Sequence, residues 1–447
     1  MEKDSTMKRT ILAIAVAALM LVGTQAFGEM CAVDNVPAAT LLIPYFSVGT
    51  AYCPNDPIAG GGTGTTFINI TNASAAPVVA HVTVWTDWSI PEIDFDIFLT
   101  GYDVQSFDMA NIFCSDMDFS GVPGGDLPMT WWGNFNGPYS ILGANPTACG
   151  TTAGAPPRYA DGAIVPGFQS FLRDVFLGLP DAAGDYHGTV GDGSWHGYVT
   201  VDANNNCSLD FPSQPIYWTS GVTYNDETGN VLMGDYQYLD LAGRTSEGFT
   251  AVHIEAFGAI AAGAGPSFYG RYLGTGADGR EPLPTTYGSR YNANGAVDST
   301  DFQIWRTGGA ATAPGSNPWA LCNTADQCPG IDVNFALAFN NDEQVIITTG
   351  GPSGGPAQAE VCIDWETQEL DVYWDLDAGF DNGWYYLNLQ SSCTDGQAYL
   401  TVTQDLDVGG VFSGGWDGIA LDGSCTQFAA GVTVIPAQPT LLNPSLQ

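Results

Sequence analysis

Two groups of side chains near residue 380 have the types and spacing to hold a ligand. Asp375, Asp377 and Asp381 fall within seven residues, beside Gly379 and Gly383. Ca2+ takes six to eight hard oxygen donors, so carboxylates gathered on one turn suggest Ca2+ as a cofactor. The plainer reading is a solvated acidic turn that keeps the protein soluble. Tyr373, Trp384 and Tyr386 flank the same loop. Strand alternation puts Tyr373 on a face with Asp371 and Asp375, and puts Trp384 and Tyr386 on a face with Asn388. Aromatic rings beside carboxylates and amides can stack on sugar rings while polar neighbours hold hydroxyls. The competing reading is that these rings are sandwich core.

Other patterns lack the context their chemistry needs. Gly274-Thr275-Gly276-Ala277-Asp278-Gly279 fits a dinucleotide fingerprint, but Pro282 and Pro284 bar the helix that must follow. Gly351-Pro352-Ser353-Gly354-Gly355 fits a nucleophile elbow, yet it sits in a Gly/Pro stretch without the strand and helix that make the elbow. The segment from Asn292 to Asp301 is similar to a dockerin calcium loop, but its first ligand position is Arg290, a cation, so a turn into the strand at Phe302 is expected. The chain has four histidines. His81 and His253 lie in strand-like runs and read as structural. His187 and His196 share a loop with Asp185 and Asp192, in a spacing that matches no recognised metal motif.

The elements that position these residues are strands. Val78, Ala80, Val82 and Val84 alternate with polar residues, as do Phe95, Ile97 and Leu99. Further strands are expected at 66–72, 104–109, 197–202, 231–240, 250–257, 302–306, 333–339, 345–349, 370–376, 384–389, 398–403 and 419–421. Asn, Asp, Gly and Pro clusters between them supply the turns. One segment has helical period: in 166–179 the apolar residues Phe168, Phe171, Leu172, Val175, Phe176 and Leu179 form a stripe. Pro166 suits its first turn, and Gly178 and Pro180 end it. The expected class is all-β, with one or two β-sandwich (immunoglobulin-like) modules, long loops and this one short amphipathic helix. The Gly/Ala-rich stretch 258–294 suggests a boundary near 258. A first sandwich over 29–258 would carry an insertion around 112–195, and a second β-rich domain would occupy 259–447. A single elongated sandwich is the alternative.

Residues 1–28 read as a secretory signal peptide, with translation starting in earnest at Met7. Lys8 and Arg9 precede the uncharged run Ile11–Val22, and Ala26-Phe27-Gly28 provides the small residues of a cleavage site. That run is shorter than the roughly 20 residues of a spanning helix, so no membrane insertion is expected after processing. The product is expected in the periplasm or outside the cell. All ten cysteines lie beyond residue 28, which in an oxidising compartment favours disulfides over metal thiolates. Cys322 and Cys328 are the closest pair and are expected to be bridged; Cys114 with Cys149 and Cys393 with Cys425 are further pairings. Beyond the leader the chain has seven Arg, no Lys and 46 acidic residues, a net charge of −39. Nucleic acid is excluded as a partner, because nothing neutralises its phosphates. Lysine-dependent chemistry is excluded with it.

Several segments resemble a family of uncharacterised secreted bacterial β-rich proteins of unknown activity. They include Ala80-His81-Val82-Thr83-Val84-Trp85-Thr86-Asp87-Trp88, Phe98-Leu99-Thr100-Gly101-Tyr102-Asp103, Gly197-Tyr198-Val199-Thr200-Val201-Asp202, Arg280-Glu281-Pro282-Leu283-Pro284 and Gly383-Trp384-Tyr385-Tyr386-Leu387. The resemblance implies export and no particular activity. The sequence therefore points to a secreted, non-catalytic β-sandwich protein, structural or ligand-binding at a cell surface, with carbohydrate or a surface protein as partner. The alternative is a secreted hydrolase using paired carboxylates, as glycosidases do.

Overall fold

A computed structural model describes residues 36–53, 61–114, 166–188, 193–206, 208, 210–240, 245–257, 267–273, 278–293, 300–306, 331–332, 335–342, 344–348, 362–363, 367–372, 380–389, 397–407 and 411–421. These belong to one compact unit, Cys31–Gln447. The fold is all-β and sandwich-like, built from antiparallel sheets.

The first nine strands are β1 (Thr40–Gly49), β2 (Gly64–Asn72), β3 (Val78–Thr86), β4 (Pro91–Leu99), β5 (Val104–Asp108), β6 (Ser194–Asn204), β7 (Leu232–Asp240), β8 (Thr245–Thr250) and β9 (Val252–Ile254). They form a five-stranded sheet in the order β4-β3-β6-β1-β9 and a four-stranded sheet in the order β5-β2-β7-β8. The apolar sides of the two sheets face each other. Val82, Val84, Ile97, Val201 and Ile43 from one meet Ile68, Ile70, Phe107 and Tyr236 from the other in a single buried cluster. Period-two placement of Val78, Ala80, Val82 and Val84 on one inward face is thus correct.

The remaining strands are β10 (Thr286–Asn292), β11 (Thr300–Arg306), β12 (Ile331–Asp332), β13 (Phe335–Asn340), β14 (Val345–Thr348), β15 (Cys362–Ile363), β16 (Thr367–Asp371), β17 (Asn382–Asn388), β18 (Ala398–Asp407), β19 (Val411–Asp417) and β20 (Ile419–Ala420). They give sheets β14-β13-β17-β10-β20 and β16-β11-β18-β19, with β12 and β15 as a separate pair. Tyr287, Tyr385 and Leu387 from the first pack with Phe302, Ile304, Leu400 and Val402 from the second. The same buried cluster includes Leu42, Trp85 and Tyr198 from the far face of the β4-β3-β6-β1-β9 sheet. The contact is aromatic: Trp85 stacks on Tyr198 at 5.5 Å, Tyr198 meets Trp305 edge-on at 5.9 Å, and Phe268 stacks on Trp305 at 5.4 Å. Trp85 and Trp305 are wholly buried. Truncating either to Ala would cost about 3–5 kcal/mol.

β1, unanticipated from the sequence, lies between β6 and β9. Nine of its ten residues are buried, and it sends Leu41 and Ile43 to one core and Leu42 to the other, so it shows no apolar/polar alternation. It also carries Pro44, ordinarily a mark against an interior strand. The register with β6 shifts between Ile43 and Phe46, so the proline falls in a bulge where its missing N–H breaks no ladder bond. The freed carbonyls are used: Pro44 O accepts from Thr367 Oγ1 at 2.5 Å, and Tyr45 O accepts from the Tyr238 hydroxyl at 2.8 Å.

Four short helices accompany the sheets among the described residues: α1 (Ala110–Phe113), α2 (Pro166–Phe176), α3 (Pro215–Thr219) and α4 (Gly270–Leu273). α2 is the helix expected from the sequence, ending three residues early. Gly178 adopts φ 67, the left-handed conformation that closes a helix. Its buried stripe of Leu172, Val175 and Phe176 joins the first core. Phe176 meets Phe113 of α1, whose ring stacks on Trp195.

One cysteine pairing differs from expectation. Cys114, at the end of α1, is bonded to Cys53, which follows β1, and not to Cys149. The core places them: β5 and α1 run back across the sandwich and set Cys114 against the chain leaving β1, with the Cα atoms 5.1 Å apart. Cys322, Cys328, Cys393 and Cys425 lie outside the described residues. Non-reducing peptide mapping should link Cys53 to Cys114. Closing a 61-residue separation constrains the unfolded chain, so Cys114→Ser should lower stability by about 3–4 kcal/mol. A Cys114–Cys149 peptide, or an unchanged melting temperature in the variant, would refute the assignment.

Candidate functional site

The site arises where the chain changes sheets. β19 pairs with β18, whereas β20, which follows after the single residue Gly418, pairs with β10. Gly418 makes the crossing against Leu400: its N–H donates to Leu400 O at 2.8 Å, and a Cβ there would lie 2.7 Å from the leucine side chain. β20 matches only Tyr287 and Gly288 of β10. Beyond Gly288, the edge of β10 opens into a cleft of about 580 Å3.

Several strands line it. Ser289, Arg290 and Tyr291 come from β10, Trp384 from β17, and Gln404, Trp416 and Asp417 from β18 and β19. Arg290 and Trp384 are direct cross-strand partners, and the guanidinium lies 6.0 Å from the centre of the indole. Trp384 remains 38% exposed, an unusual position for a large ring. Trp416 is half-buried, and its Nε1–H donates to Ser289 Oγ at 3.1 Å, which fixes the ring's orientation across the gap between the sheets. Desolvation pushes the Asp417 carboxyl up to about 6, against a hydrogen bond from the Tyr399 hydroxyl that lowers it. Ile419 and Leu421 are exposed at the rim. A cleft of this size, with apolar walls and a few convergent polar groups, has the makings of a small-ligand site.

Of the residues singled out from sequence, Trp384 lines this cleft. Tyr386 is half-buried two residues further along β17, opposite Gly288, and is not among the lining residues. Asp381 is exposed, and its backbone carbonyl accepts from the Ala293 N–H at 2.8 Å. Tyr373, Asp375 and Asp377 lie outside the described residues. Sequence reasoning missed Arg290, Trp416 and Asp417. The available signal for β10 was the alternation Tyr287, Ser289, Tyr291, overlooked inside a Gly/Ala-rich stretch.

His187 and His196 form separate pairs with carboxylates. His187 Nδ1 contacts Glu92 Oε1 and its Nε2 lies 3.6 Å from Asp181, while His196 Nε2 lies 3.7 Å from Asp87. The Nε2 atom of His253 accepts from the Gly234 N–H at 3.2 Å. Among the described residues no group of three His, Cys, Asp or Glu side chains is placed to hold a metal ion.

His81 belongs to a buried polar row. Register places Asp96 of β4, His81 of β3, Asp202 of β6 and Thr40 of β1 side by side on one face. His81 Nδ1 pairs with Asp96 at 2.9 Å and its Nε2 lies 3.8 Å from Asp94. Asp202 accepts from Thr40, from the Tyr217 hydroxyl at 3.1 Å and from the Tyr269 hydroxyl at 3.1 Å. Arg280 Nη2 sits 3.5 Å from Asp202, and its guanidinium lies over Trp218 at 4.6 Å. α3 and the segment carrying Tyr269 and Arg280 thus roof a polar sheet face.

No family model, no curated protein and no solved structure matches the chain.

The buried row should give stability a pH dependence. Burial opposes the charge on His81, but the Asp96 carboxylate and its hydrogen bond, with Asp94 and Asp202, raise its pKa to about 8. Burial likewise raises Asp94 to about 7. Each group holds its proton more tightly folded than unfolded, so unfolding releases protons and stability falls as pH rises. For His81 the contribution is complete below the ordinary value of 6.5 and is lost as pH passes about 8. Denaturant titrations should show the protein losing stability over that interval, on the order of 2 kcal/mol. His81→Gln should be less stable throughout and flatter across the same interval. Parallel curves for the two proteins would rule the pair out as the titrating element.

Proposed function

We propose that this chain is an exported, non-catalytic β-sandwich protein that binds carbohydrate in the cleft between Trp384 and Trp416. The observation that carries the reading is a pair of indoles at the mouth of a preformed cleft, one of them 38% exposed, with Arg290, Gln404, Ser289 and Asp417 around them. The apolar face of a pyranose stacks on indole, and its hydroxyls take donors and acceptors at the ring's edge. Trp416 is held by Ser289 before any ligand arrives, which lowers the ordering cost of binding. Binding is favoured over hydrolysis because, among the described lining residues, Asp417 is the one carboxylate. Glycoside hydrolysis ordinarily requires two, set about 5–10 Å apart. Export is supported by the leader-like segment from Met7 to Gly28 and by the Cys53–Cys114 bridge, a bond suited to an oxidising compartment.

Two measurements test this. Screening on a broad saccharide array, followed by calorimetry, should find ligands whose affinity falls at least tenfold, about 1.4 kcal/mol, in Trp384→Ala and in Trp416→Ala. Tyr186→Ala, which removes an exposed ring on another part of the surface, should bind as the parent does. Absence of any saccharide ligand, or equal affinities in all four proteins, would overturn the binding assignment. N-terminal sequencing of the exported protein should begin at or near Glu29; an intact leader on exported material would overturn the export assignment.

A further inference from the structure

Building on the carbohydrate reading of this cleft, we infer that its saccharide is anionic, a uronic-acid-bearing glycan whose carboxylate is held by Arg290. The argument starts from how few cations the chain has and where they go. The whole sequence carries a formal charge of −38 with ten basic residues. Arg280 and Arg306 are wholly buried, and Arg173 is half-buried, with its guanidinium 5.2 Å from the centre of the Trp195 ring. Among the arginines whose side-chain burial is described, Arg290 is the one that is exposed.

Among the described residues it has no internal counter-charge. No described carboxylate lies within ion-pairing distance of the guanidinium, although Asp417 lines the same cleft and acidic residues outnumber basic ones almost five to one. Its recorded contact is the face of Trp384. A cation–π contact engages the face of the guanidinium charge and does not consume its N–H donors, whose planar fork suits a bidentate acceptor. A plain hydroxyl satisfies one donor, whereas a carboxylate satisfies two and neutralises the charge. On a uronic acid, that carboxylate projects from the rim of the sugar ring. A ring stacked on Trp384 therefore presents its carboxylate to the neighbouring Arg290, which shares the same cross-strand position. A neutral sugar would leave the cleft's one cation unmatched.

Asp417 sets the selectivity from the opposite wall. As a carboxylate it repels an anionic ligand and accepts hydroxyls from a neutral one. The two charged residues therefore move selectivity in opposite directions when neutralised, which a purely structural role for either would not produce.

The test compares an oligogalacturonate with its methyl-esterified counterpart by calorimetry at neutral pH and about 0.15 M salt, where the Debye length of about 8 Å screens the distant acidic surface but not a contact pair. The free acid should bind at least tenfold more tightly than the ester. Arg290→Gln should reduce that ratio to near one, with Arg290→Lys intermediate because the point charge survives without the fork. Asp417→Asn should raise the ratio. Equal affinity for acid and ester in the parent protein, or a ratio unchanged in Arg290→Gln, would overturn the anionic assignment while leaving carbohydrate binding in place. If neither polymer binds but neutral glycans do, the anionic assignment alone fails. Failure of every saccharide, charged or neutral, sinks the carbohydrate reading itself.

Discussion

Burial of the β4-β3-β6-β1-β9 sheet on both faces is the constraint from which the rest of the structure follows. Every residue of β3 and β6 is buried. One face is apolar and meets the β5-β2-β7-β8 sheet. The other carries His81, Asp94, Asp96, Asp202 and Thr40, groups that would lie in water on an ordinary antiparallel sheet. Here they are roofed by α3, by the segment with Tyr269 and Arg280, and by the aromatic contact through Trp305. A buried polar group without a partner costs about 1–3 kcal/mol, more when charged. The row across four strands is the response: each carboxylate is opposite a histidine, a hydroxyl or the buried guanidinium of Arg280. Removing Arg280 would strand Asp202 among phenols, so the tie between the sheet and residues 267–283 is electrostatic as well as apolar.

This arrangement also explains where the scarce cations reside. A chain with no lysine beyond residue 28 must neutralise its interior carboxylates with arginine, histidine or hydroxyl donors. Arg280 and His81 do so, and Tyr217 and Tyr269 supply the remaining hydrogen bonds. What is left for the surface is overwhelmingly negative, which favours solubility through mutual repulsion. An exposed arginine with no carboxylate partner among the described residues is out of keeping with such a surface unless something external completes it.

Legibility in the sequence tracks how one-sided each element is. β3, β4 and β17 alternate, because one face meets apolar core and the other does not, and α2 repeats at helical spacing for the same reason. β1 was invisible because both of its buried faces carry apolar residues, Leu41 and Ile43 toward one core and Leu42 toward the other, and because Pro44 sits in a bulge that only the fold can specify. β10 was hidden by its small and polar residues: Gly288 and Ser289 reveal nothing by period. At the site, Trp384 was legible as an aromatic on a strand face. Arg290 and Trp416 were not, since Arg290 lies 94 positions before Trp384 and 126 before Trp416, and only the crossing at Gly418 brings the strands together.

That crossing ties the cleft to a general problem of β structure. An open sheet ends in a strand whose N–H and C=O groups are unpaired, a template for unwanted association unless blunted. β20 covers β10 for two residues, just after the chain has crossed from the other sheet at Gly418. The remaining edge, from Ser289 to Tyr291, is protected by side chains instead: Ser289 binds the Trp416 indole and also donates to the Arg290 carbonyl at 3.0 Å, and Arg290 places a charge at the rim. The same three residues that keep another strand from docking leave a cavity between the sheets with indole walls and one outward cation. A ligand with a flat apolar face and an anionic rim fits there because an edge had to be closed without a strand.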